Sequence, residues 1–249
     1  MRILKTAYVL TALLSVIFIS CDTLNIISDN DALGVLPYQV VFTFDDGPNN
    51  HHNTTARLLD VLKKYDIKGF FCLIGVNVLQ YPDIVRRIYN EGHTIVNHGY
   101  SDDLAYFLSD KDFKDNLLKC ERAISQILGI DTYPKLYRPQ GGIYKKSHEK
   151  IFTEEGYTLV PFTVSVMDPY TAPGSSKDIN KKVIDKTVEQ NGGIILLHDS
   201  RDKYDRMEIE LQKKPHGNYN RSWIPDTVEE IIISLQAKGY FFNEPYEFK

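Results

Sequence analysis

The sequence has 249 residues, of which 43% are hydrophobic, with a formal net charge of −4 at pH 7 and three cysteines. This length accommodates one α/β domain with a large core better than two small domains. The slightly acidic balance and the lack of a long basic run argue against a nucleic-acid partner. Since no CxxC pair occurs, a structural zinc knot is not indicated either.

The first 20 residues have the composition of an export signal. Arg2 and Lys5 precede an apolar stretch that is shorter than a membrane span and ends abruptly. We therefore predict a signal peptide over 1–20. An uncleaved membrane anchor is the alternative.

Cys21 directly follows this segment. Its context resembles a bacterial lipobox, in which the cysteine is lipid-modified, although Phe18 stands where leucine is usual. We predict a lipid-anchor tether over 21–36 and a catalytic domain over 37–249. An ordinary signal peptide with an incidental cysteine is the alternative. The two later cysteines, Cys72 and Cys120, lie in apolar surroundings and are predicted to be small buried residues rather than a disulfide or a metal site.

From residue 37 onward the apolar residues alternate between strand and helix periodicity. The strands are predicted over 38–44, 68–74, 93–97, 136–138, 157–166, 193–197 and 240–242, and the helices over 54–65, 82–91, 112–128, 147–155, 179–190 and 226–237. Asn53 and Thr54 are candidates for the cap of the first helix. About seven strands in βαβα order predict a parallel sheet, closed as a distorted (β/α) barrel rather than open and doubly wound. In such barrels the chemistry collects at the carboxyl ends of the strands.

The first strand ends in two adjacent acids, Asp45 and Asp46, followed by a Gly-Pro turn. Adjacent residues of an extended chain point to opposite sides, so one acid can bind a metal while the other moves a proton. Solvated acids in an Asp-Gly turn are the alternative.

Four further strand ends carry polar residues. His98 and Asp102 are four residues apart and could hold one ion, and Arg138 precedes a glycine turn whose amides could hold an oxyanion. Asp168 and His198 follow the next two strands. Each residue alone is explained by a solvated loop, but five such strand ends together predict metal-assisted hydrolysis.

The motifs TFDDGP, NHGYSD, RPQGG and LLHD, in this order and with an acid-bearing strand before the last, resemble the NodB-type polysaccharide deacetylases of carbohydrate esterase family four. The resemblance covers residues 37–242. It implies a NodB-type barrel with one divalent metal ion, zinc first of all, that removes N-acetyl groups from an amino-sugar polymer. Carried over by motif, it implies Asp46, His98 and Asp102 as metal ligands, Asp45 as base and His198 as acid.

The resemblance also implies supporting roles. Arg138 holds Asp45, and Asp168 orients or charge-tunes a catalytic neighbour. The amide of Gly141 helps to polarise the acetyl oxygen, and Leu196 lines the pocket for the acetyl methyl group.

The chain departs from the family at the second motif, because Asp102 stands where a second histidine is usual. A carboxylate also binds zinc, but it leaves less positive field at the ion, so manganese, iron, cobalt or magnesium become more competitive. Asp103 is a rival ligand.

A second departure concerns the wall of the pocket. Pro169-Tyr170 replaces the Asp-Trp expected there, which makes Tyr170, Tyr219 and Trp223 candidates for stacking on sugar rings. Trp223 could instead anchor the long stretch 201–224, which we interpret as a rim element.

The sequence thus predicts an exported, lipid-anchored monomer that faces the periplasm or the cell exterior and deacetylates peptidoglycan or a chitin-like glycan. Three alternatives remain: an O-acetyl esterase of the xylan type, an inactive sugar-binding lipoprotein on the same barrel, and a hydrolase of small cyclic amides.

Overall fold

A computed structural model describes residues 35–130 and 134–243. The signal peptide predicted over 1–20, Cys21 and nearly all of the tether lie outside the described residues, so they stay predictions. Within the described ranges, no helix combines the length and apolar character that crossing a membrane requires.

Seven parallel strands form one sheet. They are β1 (Gln39–Gly47), β2 (Gly69–Leu73), β3 (Thr94–Asn97), β4 (Leu136–Tyr137), β5 (Thr158–Leu159), β6 (Gly193–His198) and β7 (Phe241–Phe242). The order across the sheet is β5-β4-β3-β2-β1-β6, and β7 also pairs with β1. β1 is buried along its whole length because strands flank it on both sides and side chains cover both faces.

The segment after β5 connects the two ends of the sheet. Val164 forms a parallel bridge with Ile195 of β6, and the amide of Leu196 donates to the Val164 carbonyl at 2.8 Å. A distorted (β/α) barrel of about seven strands is therefore confirmed. The continuous strand predicted over 157–166 is wrong, however, because Pro161 has no N–H to donate to a ladder.

Eight helices are found in the described residues: α1 (Thr54–Lys64), α2 (Gly75–Gln80), α3 (Pro82–Asn90), α4 (Asp110–Leu128), α5 (Lys146–Glu154), α6 (Ser176–Glu189), α7 (Tyr204–Lys213) and α8 (Ile224–Gln236). Six were predicted within a few residues. Of the two that were not, α2 is only six residues long, and α7 lies in the polar stretch 201–224 and buries only Met207. Without an apolar stripe α7 has no helical signature. Asn53 makes no side-chain cap for α1; the hydroxyl of Thr54 donates to the His51 carbonyl instead.

The two faces of β1 pack into different apolar clusters. Val40, Phe42 and Phe44 pack into the large core shared with the helices, whereas Val41 packs into a smaller apolar cluster on the opposite face of the sheet. Because side chains alternate along a strand, Thr43 and Asp45 continue that second face toward the carboxyl end. The prediction that Cys72 and Cys120 are buried free thiols is confirmed.

Candidate active site

A cavity of about 500 Å³ opens at the carboxyl ends of the strands, and both acids of β1 line it. The prediction that they point to opposite sides is wrong. The register of β1 against β2 shifts between Phe44 and Gly47, and Asp46 has a φ of +71°. This left-handed conformation turns Asp46 toward the same space as Asp45.

Asp45 is held by a buried arginine. Nη1 of Arg138 donates to Asp45 Oδ1 at 3.1 Å and to the Thr43 hydroxyl at 2.9 Å. The other guanidinium nitrogens, Nε and Nη2, donate to the carbonyls of Val160 and Pro161. Because these two carbonyls bind Arg138, they do not extend the ladder of β5. Burial disfavours the charged form of Asp45, but the positive charge of Arg138, together with smaller contributions from His98, His198 and Cys72, offsets this and lowers the pKa of the carboxyl. Asp45 is therefore an ionised group at neutral pH.

His98 presents one ring nitrogen to the two acids. Its Nδ1 lies 2.8 Å from the Arg138 carbonyl, which can only accept, so Nδ1 carries the hydrogen. Nε2 lies 3.3 Å from Asp46 Oδ1 and 3.8 Å from Asp45 Oδ2. Burial opposes a charge on the ring, yet the two carboxylates raise the pKa of His98. Their field favours positive charge at Nε2.

Asp102 lines the same cavity and hydrogen-bonds to Asp202, a residue that the motif analysis did not select. Burial and the nearby carboxylates of Asp46 and Asp202 raise the pKa of Asp102. Asp202 is 3% exposed and pairs with Arg206 Nε at 3.1 Å. The rival ligand Asp103 accepts a hydrogen bond from Ser101 and does not line the cavity.

The chemistry of these donors suits a divalent cation. Among the described residues, no three His, Cys, Asp or Glu side chains already surround a metal position. The donor types nevertheless fit: Asp46 and Asp102 supply carboxylate oxygens, and His98 has its second nitrogen tied to a carbonyl, as metal-binding histidines usually do. A cation among these carboxylates would also neutralise their mutual repulsion.

The side of the site that carries the predicted acid, His198, is a chain of three residues, in which the buried Asp168 and Arg221 support the partly buried His198. Nδ1 of His198 donates to Asp168 Oδ1 at 2.9 Å, and its backbone amide donates to Asp168 Oδ2 at 3.0 Å. Arg221 pairs with the same carboxylate and donates to the His198 carbonyl. Burial opposes protonation of His198, but Asp168, with smaller contributions from Asp46 and Asp45, raises its pKa to about 9.

Sequence reasoning missed Arg221, which is 1% exposed. It comes from the polar stretch 201–224, far along the chain from Asp168, and no motif marks it. The one available signal was indirect: a carboxylate buried at a strand end needs a cationic partner.

The remaining predicted residues differ in position. Gly141, Leu196, Tyr170 and Tyr219 line the cavity, and Tyr170 is 65% exposed at its rim. Trp223 does not line it. This side chain is 6% exposed, belongs to the main core and lies against the Arg221 guanidinium at 4.8 Å. Its position agrees with the alternative that it anchors the loop, so the stacking role predicted for Trp223 is not retained.

The fold is a parallel (β/α) barrel, and its polar cavity lies at the carboxyl ends of the strands. These two features place the protein among the barrel proteins whose active site lies at that end of the barrel. A sequence model of the polysaccharide deacetylase family matches residues 36–160. The chain therefore belongs to this family, and the resemblance noted from the motifs is confirmed.

Individual relatives agree with this assignment. A peptidoglycan-N-acetylglucosamine deacetylase of Bacillus cereus is 30% identical over 207 residues, which make up 82% of this chain and 66% of the relative. The peptidoglycan-N-acetylmuramic acid deacetylase PdaC of Bacillus subtilis is 34% identical over 205 residues, or 81% of this chain and 36% of the relative. The chain thus spans about two thirds of the first relative and about a third of the second.

A solved structure is similar as well. The Bc1960 peptidoglycan N-acetylglucosamine deacetylase, crystallised in complex with 4-naphthalen-1-yl-N-oxidanyl-benzamide, superimposes with a TM-score of 0.64 at 29% identity, covering 83% of this chain and 85% of that one.

Proposed function

We propose that this protein is a metal-dependent hydrolase that removes N-acetyl groups from an extracytoplasmic amino-sugar polymer, with peptidoglycan as the first candidate. The observation that carries the proposal is that one cavity is lined by both a proton acceptor and a proton donor. The acceptor is an ionised Asp45 beside Arg138, and the donor is a proton-bearing His198 beside Asp168. The peptidoglycan deacetylases among its relatives support the substrate class.

The reaction requires a base and an acid because an amide carbonyl is a poor electrophile and an amine is a poor leaving group. Asp45 takes a proton from the water that attacks the acetyl carbonyl. His198 gives its Nε2 proton to the departing nitrogen as the C–N bond breaks. The products are acetate and a free amine on the sugar.

Other residues of the chain position these groups. Arg138 keeps Asp45 ionised and in place, and Asp168 holds His198 by its Nδ1 hydrogen. Leu196 and Gly141 both line the cavity. Leu196 would contact the acetyl methyl group, and the amide of Gly141 would help to polarise the acetyl oxygen. A divalent cation bound by Asp46, His98 and Asp102 would supply Lewis acidity toward the acetyl oxygen and the water.

Zinc is the first candidate for this cation, with manganese, cobalt and iron in competition because of Asp102. We expect an Asp102→His variant to retain a larger proportion of zinc than the parent, because imidazole replaces a hard oxygen ligand. Elemental analysis of both proteins, purified without added metal, measures this. Asp103→His is the matched control and should keep the parent's metal content. Equal metal content in all three proteins would contradict the role given to Asp102.

The proposal also predicts a pH dependence. His198 must be protonated to act, and its pKa of about 9 lies above the ordinary value for histidine. Activity should therefore persist above pH 7 and fall as the pH rises through about 9. An Asp168→Asn variant loses the main charge that raises this pKa, so its alkaline limb should move to lower pH. The rates of the parent and of Asp168→Asn are measured from about pH 6 to about pH 10. Identical alkaline limbs for the two proteins would contradict the assignment of His198 as the acid.

The decisive test of the function is acetate release. Purified protein is incubated with peptidoglycan, chitotetraose or acetylated xylan, and acetate is measured against time. Release from the first two supports an N-deacetylase, and release only from xylan supports the O-acetyl esterase. Binding of the glycans without any acetate release would favour the inactive sugar-binding protein.

We further propose the membrane location predicted from Cys21. Labelling of the expressed protein with a fatty-acid analogue, compared with a Cys21→Ala variant, tests the lipid anchor. The monomeric state likewise stays a prediction.

A further inference from the structure

The arginines at and near the cavity differ in whether a carboxylate pairs with them. Three of them pair with an aspartate: Arg138 with Asp45, Arg206 with Asp202, and Arg221 with Asp168. Arg201 lines the cavity together with Arg206, but within 35–130 and 134–243 no carboxylate lies within ion-pair distance of Arg201.

Two aromatic rings hold this arginine instead. Its guanidinium carbon lies 4.4 Å from the centre of the Tyr219 ring and 5.2 Å from the centre of the Tyr170 ring. Such cation–π contacts fix the guanidinium plane while leaving its N–H groups free to donate. The rim of the cavity therefore carries a positioned cation with unused hydrogen-bond donors.

The surroundings make this cation distinctive. In the deeper cavity, Asp45 is paired with Arg138, and the carboxylates of Asp46 and Asp102 are assigned to a divalent cation. At the rim, Arg201 offers an anionic group of the substrate a positive charge that no carboxylate of the described residues neutralises. A guanidinium whose position is fixed is suited to a carboxylate, since its planar N–H groups can bind both oxygens.

We propose that Arg201, held by Tyr170 and Tyr219, is a specificity residue that binds a carboxylate on the acetylated glycan. This inference rests on the proposed deacetylase function and narrows its substrate class to amino-sugar polymers that bear carboxylates. Since Arg201 covers a face of both tyrosine rings, those faces are not platforms for stacking on a neutral sugar.

A carboxylate on peptidoglycan has two sources: the lactyl group of a muramic acid residue without a peptide, and the stem peptide itself. Three substrates separate them: glycan strands stripped of peptide, strands that keep their stem peptides, and uncharged chitotetraose. The measured quantity is the ratio of kcat/KM for each charged substrate to kcat/KM for chitotetraose.

We expect Arg201→Gln to lower this ratio about tenfold for the strand type whose carboxylate is recognised, the size of effect that one lost charge-assisted contact gives. Arg201→Lys, which keeps the charge but not the planar fork, should restore part of the ratio. Arg122→Gln removes an exposed arginine on α4 far from the cavity and should leave the ratio unchanged. An unchanged ratio in Arg201→Gln for both strand types would overturn the inference.

A second measurement does not depend on a variant or on turnover. Binding of the peptide-free and peptide-bearing strands to the unaltered protein is compared before and after their carboxylates are converted to methyl esters. Weaker binding after esterification, about tenfold at low salt and less at high salt, is expected. Equal binding overturns the inference. Absence of acetate release from every substrate would refute the proposed function instead, while the same binding comparison made with Arg201→Gln, in which esterification should no longer weaken binding, would still decide the role of Arg201.

Discussion

An Asp45→Asn variant is expected to release acetate from N-acetylated glycan at least about a hundredfold more slowly than the parent protein, the usual contribution of a general base. Asparagine keeps the size of the side chain and can still accept a hydrogen bond from Arg138. It cannot take a proton from water, however. Acetate release measured at a saturating concentration of substrate compares the two proteins.

The control for this experiment is Asp115→Asn, the same change at an exposed position of α4. It should retain the parent's rate. Thermal unfolding of all three proteins shows whether a slow rate reflects loss of the base or loss of the fold. A folded Asp45→Asn protein with the parent's rate would refute Asp45 as the base, and with it the mechanism proposed here.

The second large effect is expected at Arg221. Replacing Arg221 by Met should lower the free energy of unfolding by about 3–5 kcal/mol, because the fully buried carboxylate of Asp168 loses its arginine partner and keeps only His198 beside it. Urea unfolding followed by tryptophan fluorescence and circular dichroism gives this quantity. The same variant should also lose acetate release, since Asp168 then no longer holds His198 in a defined position.

Two comparisons keep this prediction specific. Arg86→Met removes an ion pair with Asp83 that is exposed to solvent, so its effect should be small. The double variant Arg221→Met, Asp168→Asn removes the buried charge together with its partner and should regain part of the lost stability. A single Arg221→Met variant as stable as Arg86→Met would contradict the buried ion pair.

The motif residues were predictable because each follows a strand that its own sequence identifies. Asp45, His98, Arg138 and His198 come directly after short apolar runs, and the carboxyl ends of parallel strands meet at one mouth of a barrel. Chain order alone therefore placed these side chains near one another, and the cavity lining agrees for Asp45, His98 and His198.

The residues that support the motifs were not predictable in the same way. Arg221 and Asp202 lie in a polar stretch whose helix, α7, buries a single residue, so no periodic signal located them. The stacking role predicted for Trp223 was wrong because the sequence around an aromatic residue in a loop does not show whether its side chain faces a sugar or the core. Only the packing of the loop against α8 and the sheet distinguishes these cases.

The amino-acid sequence by itself determined the parallel (β/α) barrel, the family and the set of strand-end residues, because apolar periodicity and short motifs are local properties of the chain. Tertiary structure alone decided which charges pair: Arg221 with Asp168, Asp202 with Arg206, and Arg201 with two tyrosine rings in place of an acid. The physical reason is that Coulomb and stacking energies depend on distances across the cavity, and residues far apart in sequence acquire those distances only when the barrel closes.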